Sequence, residues 1–338
     1  MSSIDLNPSA ASIHLSPAGS DFLWAVFGVF TAATAFMVVL AHHRPIGHRG
    51  FHFLAAAILL ISAVSYSYLA SNLGFSPVPV EFLNPGGLGQ YQASEGEELI
   101  TRSVSYTRFV AWALTWPMLL LMLQLATALP LSTIFFDLFI SETSVVCLLI
   151  GALVPNRYKW VSYSFGAACL LYDSWALLIL SRREAYVLGV EYGQAFSRSA
   201  LLLVGCWLVY PVIWGVSEGA NLITVTAECI AYGVLDLLTR LVFPFYFLFN
   251  YRRLDYDRFQ FVSGKISIGT PPPSTPTRYA PPSIPYPGLG AQPQPPPSLV
   301  QVPTAMSFPD SSVAAPRAKG GMGGKKSTAG ASSGGSAV

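Results

Sequence analysis

The stretch Glu228-Cys-Ile-Ala-Tyr232-Gly-Val-Leu-Asp236-Leu-Leu-Thr-Arg240 decides how this chain is read. It is apolar enough to belong to a membrane-crossing helix, yet it carries Glu228, Asp236 and Arg240. On insertion scales each such group costs about 3 kcal/mol deep in a bilayer and normally faces a bundle interior with a partner. Asp236 and Arg240 stand one helical turn apart, so they share a face and an ion pair between them lowers the cost of both.

Working outward, the composition fits that setting. The 338 residues are 52% hydrophobic and only 11% charged, against about 25% charged in soluble domains. Seven apolar stretches, 21–41, 50–74, 105–129, 132–154, 160–180, 199–216 and 222–250, approach or exceed the roughly 20 residues that a helix needs to cross lipid. Hydrocarbon forbids unpaired backbone, so these runs are helices despite their Gly, Pro and Ser; barrel strands are too short and alternating to explain them. The expectation is an all-α membrane protein, a bundle of seven transmembrane helices, with a 1–20 extracellular segment, a 21–250 membrane domain and a 251–338 tail.

Lys and Arg set the orientation. Arg44 and Arg49 follow the first stretch; Arg182, Arg183 and Arg198 follow the fifth; Arg252, Arg253, Arg258 and Lys265 follow the seventh. The other face has Arg102, Arg157 and Lys159 beside the acids Glu81, Glu95, Glu97 and Glu98. The basic excess assigns the first set to the cytoplasm, with the N-terminus outside and the C-terminus inside. The first 20 residues hold no Lys or Arg, unlike a cleaved signal, so the first helix is expected to remain as an anchor. Cys147, Cys169, Cys206 and Cys229 all fall within spans and read as small buried hydrophobes rather than disulfide partners.

The tail is dense in proline over 270–303 and Gly/Ser-rich over 320–335, with Lys325 and Lys326. It cannot bury enough apolar surface to fold alone. It reads as a solvated tail, as a polyproline ligand for a cytosolic partner, or as a basic contact to anionic lipid.

Two further stretches carry chemistry. The third helix reads Arg108-Phe-Val-Ala111-Trp112-Ala-Leu-Thr115-Trp116-Pro117, and the sixth Trp207-Leu-Val-Tyr210-Pro211-Val-Ile-Trp214-Gly-Val-Ser217-Glu218. Trp207, Tyr210 and Trp214 form one helical stripe, which by itself reads as aromatic packing at a proline kink. Asp236 with Arg240 reads either as a staple of the bundle or as part of a transport or switching site. Asp137 and Asp173 read as hydrated structural residues near the cytoplasmic helix ends. His42, His43, His48 and His52 read as interfacial histidines on a short hydrated loop, with a metal or pH-sensing role as the sharper alternative. No nucleophile–base pair, metal-spaced cluster or phosphate loop marks an enzyme, and no nucleic-acid partner is expected.

Together these segments resemble the microbial (type I) rhodopsins, specifically their fungal branch, over residues 20–250. Arg108, Trp112, Thr115 and Pro117 match the family's third helix; Trp207, Tyr210, Pro211 and Trp214 match its sixth; Asp236 matches its seventh. Glu218 and Glu228 match an extracellular glutamate pair that some family pumps use for proton release. The resemblance implies a retinal pocket lined by Trp112, Trp207, Tyr210, Trp214 and Trp116.

The departures govern function. The position of the retinal-bearing lysine is Arg240. A lysine amine condenses with an aldehyde; a guanidinium stays protonated and does not usefully do so. The five lysines, Lys159, Lys265, Lys319, Lys325 and Lys326, lie at a membrane edge or in the tail. The proton-acceptor position is Ala111 and the donor position Met122. Trp116 and Leu148 stand where the family has smaller residues. Arg108 and Arg240 against Asp236 leave one positive charge in excess unless Glu228 or Glu142 offsets it.

No covalent retinal is therefore expected. The resemblance to fungal opsin-related proteins implies a plasma-membrane, stress-responsive protein that modulates partners such as the plasma-membrane proton ATPase or acts like a chaperone. Alternatives are an ion or proton pathway through Arg108, Asp236, Arg240, Glu218 and Glu228, and a sensor that holds retinal or another apolar ligand noncovalently.

Overall fold

The computed structural model of the chain describes residues 3–45, 48–80 and 100–259. The acids Glu81, Glu95, Glu97 and Glu98, the proline-rich tail and Lys265, Lys319, Lys325 and Lys326 lie outside the described residues. A short α1 (Ser3–Leu6) precedes seven helices long and apolar enough to cross a membrane: α2 (Pro17–His42), α3 (Gly50–Ala70), α4 (Tyr106–Gln124), α5 (Leu131–Leu153), α6 (Lys159–Leu188), α7 (Val190–Gly219) and α8 (Val225–Tyr251). The seven-helix membrane fold is as expected. Its outer surface is apolar, with Phe135 66% and Phe165 64% exposed, while Arg108, Asp236 and Arg240 are buried. That inversion suits lipid outside and a polar interior.

Helix boundaries follow local chemistry. Ser16 caps α2 by accepting a hydrogen bond from the Gly19 N–H at 3.2 Å, with Pro17 at the first helical position. Thr224 caps α8 through the Ala227 N–H at 3.2 Å. Helices α5 and α6 approach closely at Gly166, where an added Cβ would lie 3.1 Å from the Leu148 side chain and the Ser144 carbonyl. The Ser144 hydroxyl donates to the Gly166 carbonyl at 2.8 Å and fixes their register.

Three features go beyond the sequence reading. A short antiparallel hairpin of β1 (Phe75–Pro79) and β2 (Thr101–Ser105), with Val78 opposite Arg102, accompanies the helices. The described residues before 21 are tied to the hairpin and to α8. Ile13 exchanges backbone hydrogen bonds with Thr101 and Ser103 at 2.9 Å each, and the Ser16 N–H donates to Thr226 at 2.9 Å. Finally, α6 runs to Leu188 and α7 begins at Val190, so Arg182, Arg183 and Arg198 are helical rather than in a loop. Gly189 alone separates the two helices, with φ of +143°, a backbone conformation that L side chains rarely adopt.

Helices α6, α7 and α8 each contain a π-helical turn, at Ala176–Ser181, Gly215–Gly219 and Leu237–Val242. The last begins immediately after Asp236 and contains Arg240. Such turns are rare and concentrate at functional sites.

Candidate functional site

The centre of the bundle is organised around Asp236. Its Oδ2 accepts from the Tyr66 hydroxyl at 2.7 Å and its Oδ1 from the Tyr210 hydroxyl at 2.6 Å. Arg240 Nη2 lies 3.4 Å from the same Oδ1, an ion pair between fully buried side chains. Tyr210 and Thr239 hydroxyls are 2.9 Å apart and extend the network along α8. Asp236 thus accepts hydrogen bonds from two phenols and lies in an ion pair with a guanidinium, whereas Arg240 Nε and Nη2 make no hydrogen bond among the described residues. The expected pairing of Asp236 with Arg240 is present, and Tyr66, which the sequence did not single out, completes it.

A second network lies nearer the hairpin. Glu228 is held from both sides: Arg108 Nη1 donates to Oε1 at 2.5 Å and Arg102 Nη2 to Oε2 at 2.7 Å. Arg108 Nη1 is also 4.0 Å from Glu218 Oε1, its Nη2 donates to Cys229 Sγ at 3.1 Å, and its guanidinium lies 4.6 Å over the Tyr232 ring. Glu218 accepts from the neighbouring Ser217 hydroxyl and from Tyr232 at 3.4 Å. Lys159 Nζ donates to the Glu218 carbonyl at 3.3 Å, and Lys159 is buried rather than at an open membrane edge. Arg108, Glu218 and Glu228 therefore meet as expected, and Glu228 is the carboxylate that offsets Arg108. Glu142 has no ion pair among the described residues. Arg102 was assigned to the outer face by the sequence, but β2 turns it inward, where its Nη1 also donates to the Ile223 carbonyl at 2.7 Å.

The aromatic residues divide. Trp116 is stacked on Trp112 (centroids 5.5 Å apart, planes at 21°) and on Trp207 (5.4 Å, 26°). Its indole therefore lies between the other two and fills the space that their faces would bound. Tyr210 stands edge-on to Trp112 at 5.0 Å and to Trp116 at 5.1 Å. Trp214 leaves this group: it stacks on Tyr163 at 4.8 Å and donates from Nε1 to the Leu148 carbonyl at 3.2 Å. Ala111 and Met122 are buried and bring no ionisable group to α4.

On the far side of Met122, Gln124 Nε2 donates to Asp137 Oδ2 at 2.5 Å. Asp137 and Asp173 are both buried. Asp137 lies seven residues before Ser144 and Asp173 seven after Gly166, so the antiparallel register sets them opposite one another. Both oxygens of Asp173 lack a hydrogen-bond partner.

Residues 18–253 match the family described as bacteriorhodopsin-like protein. The chain belongs to that family. Among relatives of this bacteriorhodopsin-like chain, Protein FDD123 of Trametes versicolor is 40% identical over 264 residues, 78% of this chain and 88% of its own length. The 30 kDa heat shock protein of Saccharomyces cerevisiae is 30% identical over 261 residues, 71% of this chain and 75% of its own length. The solved structure of a light-driven proton pump from Leptosphaeria maculans superposes with a TM-score of 0.66 at 28% identity, covering 72% of this chain and 98% of the pump.

Proposed function

We propose that this chain is an opsin-related membrane protein that carries no covalently bound retinal and acts through partner proteins rather than through light capture. Arg240 carries the reading. Its charged guanidinium holds the position where the resemblance calls for a condensing amine, and it is engaged with Asp236 at 3.4 Å. Trp116, between Trp112 and Trp207, supports the same reading because an apolar ligand would have to displace it.

A relative named as a 30 kDa heat shock protein supports a stress-associated role. The family resemblance supports residence in the plasma membrane and regulation or chaperone-like support of a neighbour such as the proton ATPase. The proline-rich tail is the proposed contact for a cytosolic or membrane partner; removing residues after about 265 should abolish that contact, and unchanged partner capture would exclude the tail. An ion pathway is the weaker alternative, because Trp112 and Tyr232, themselves in edge contact at 5.1 Å, pack against both polar networks.

The deciding measurement is a visible absorption spectrum of the purified protein with added all-trans retinal, for wild type and for Arg240→Lys. Wild type should give no shifted band. A borohydride-stable retinal adduct on the wild-type chain would overturn the proposal.

A further inference from the structure

At the end of the bundle opposite the hairpin, a hollow of about 210 Å³ opens between the start of α3 and the segment after α8. It belongs to neither polar network of the core. Arg44, Arg252 and Arg253 line it together with His48 and His52, against the single carboxylate of Asp255. Tyr256 closes one wall and stacks on the His48 ring, with centroids 5.2 Å apart and planes at 20°.

Three observations make this more than a basic rim. His52 is only 4% exposed, and it lines the hollow. The sequence placed this histidine on a hydrated loop; it lies instead inside the first turn of α3 and is walled in. The 21-residue α3 also has no side-chain cap. Arg49 occupies the capping position, but its guanidinium is turned back onto the carbonyls of Arg44 at 2.8 Å and His42 at 3.2 Å. The first-turn N–H groups beside His52 thus keep the partial positive charge of a helix N-terminus. Lastly, the hollow sits where α2 and α8 end, the depth of the lipid headgroups, on the side that the Lys/Arg distribution assigns to the cytoplasm.

We propose that this hollow binds a multiply charged phosphate monoester, the chemistry of a phosphoinositide headgroup or of a soluble inositol phosphate. Guanidinium groups bind phosphate oxygens in bidentate fashion, and a phosphate monoester offers three terminal oxygens to several arginines where a carboxylate offers two. The volume admits a phosphate with part of the ring that carries it. Basic pockets on the cytoplasmic side of membrane proteins take such headgroups. This site is independent of the function proposed above and stands or falls by its own test.

The test uses the full chain in phosphatidylcholine nanodiscs, alone or doped with phosphatidylinositol bisphosphate or with phosphatidylserine at matched charge. Inositol trisphosphate is the soluble arm. Thermal unfolding and equilibrium binding are read for wild type, for the Arg252→Gln/Arg253→Gln pair, for His52→Asn and for Arg198→Gln, an arginine outside the hollow. The phosphoinositide should bind at least about tenfold tighter than phosphatidylserine and raise the unfolding midpoint. The Arg252→Gln/Arg253→Gln pair should lose about tenfold or more of that affinity, while Arg198→Gln keeps it. Competition by inositol trisphosphate means the site accepts the phosphate from either source; binding of the lipid without competition assigns it to the membrane. Equal response to phosphatidylserine and phosphoinositide, or equal loss in Arg198→Gln and the Arg252/Arg253 variant, would overturn the proposal by reducing it to diffuse surface charge. Should the double variant fold poorly, His52→Asn carries the same test, since it removes no formal charge from the rim.

Discussion

In the hairpin half of the bundle, Glu228 lies between Arg102 and Arg108 and Asp236 is met by Arg240 and two phenols. In the opposite half, Asp137 and Asp173 are as deeply buried, yet among the described residues no ion pair reaches either. Among the described residues, Asp137 has only the Gln124 amide as hydrogen-bond partner and the Asp173 carboxylate has none. Taking an isolated charge out of water costs far more than taking out a neutral polar group. The first half buries charge beside opposite charge; the second buries two acids with no opposite charge beside them among the described residues.

This contrast can be broken by mutation, and the largest effect is expected at Glu228. Glu228→Gln strips the counter-charge from two buried guanidiniums and should cost about 5 kcal/mol, the upper end for breaking a buried pair, read as thermal unfolding in nanodiscs. A loss no larger than that of an Asp173 variant would erase the distinction between the halves. Trp116→Ala should cost about 4 kcal/mol, because it removes the middle ring of a packed stack. It should also make the protein respond to added apolar ligand with a higher unfolding midpoint, which wild type should not do. Asp236→Asn should cost about 3 kcal/mol by stranding Arg240. Combined with Arg240→Gln it should cost less than the sum of the two single changes, and strict additivity in that cycle would show the pair to be uncoupled. Asp173→Asn should stay within about 1 kcal/mol of wild type, as expected when no charged partner is lost.

Much of this was readable from residue order. Seven apolar runs gave seven helices because lipid leaves the backbone few alternatives. Asp236 and Arg240 found each other because four residues make one turn; which of Glu228 and Glu142 offsets Arg108 was left open by residue order, and the structure brings Glu228 to it. What escaped the reading depended on contacts between distant segments. Strand β1 contains Pro77 and Pro79, which argue against a strand in isolation, so neither the hairpin nor the inward turn of Arg102 was visible. The ends of α6 and α7 were cut short because Arg182, Arg183 and Arg198 looked like loop charges, although a helix can project beyond lipid. Asp137 and Asp173 face one another only because Gly166 lets α5 and α6 close up, a register that no single helix encodes.

The triple stack of Trp112, Trp116 and Trp207 has an optical consequence. Three indoles held face to face at 5.4–5.5 Å must share their electronic excitations, so the folded protein should carry an exciton couplet in its ultraviolet circular dichroism. That couplet reports on the bundle centre without any added dye. The three rings thus form a chromophore built from the protein's own side chains, absorbing in the ultraviolet.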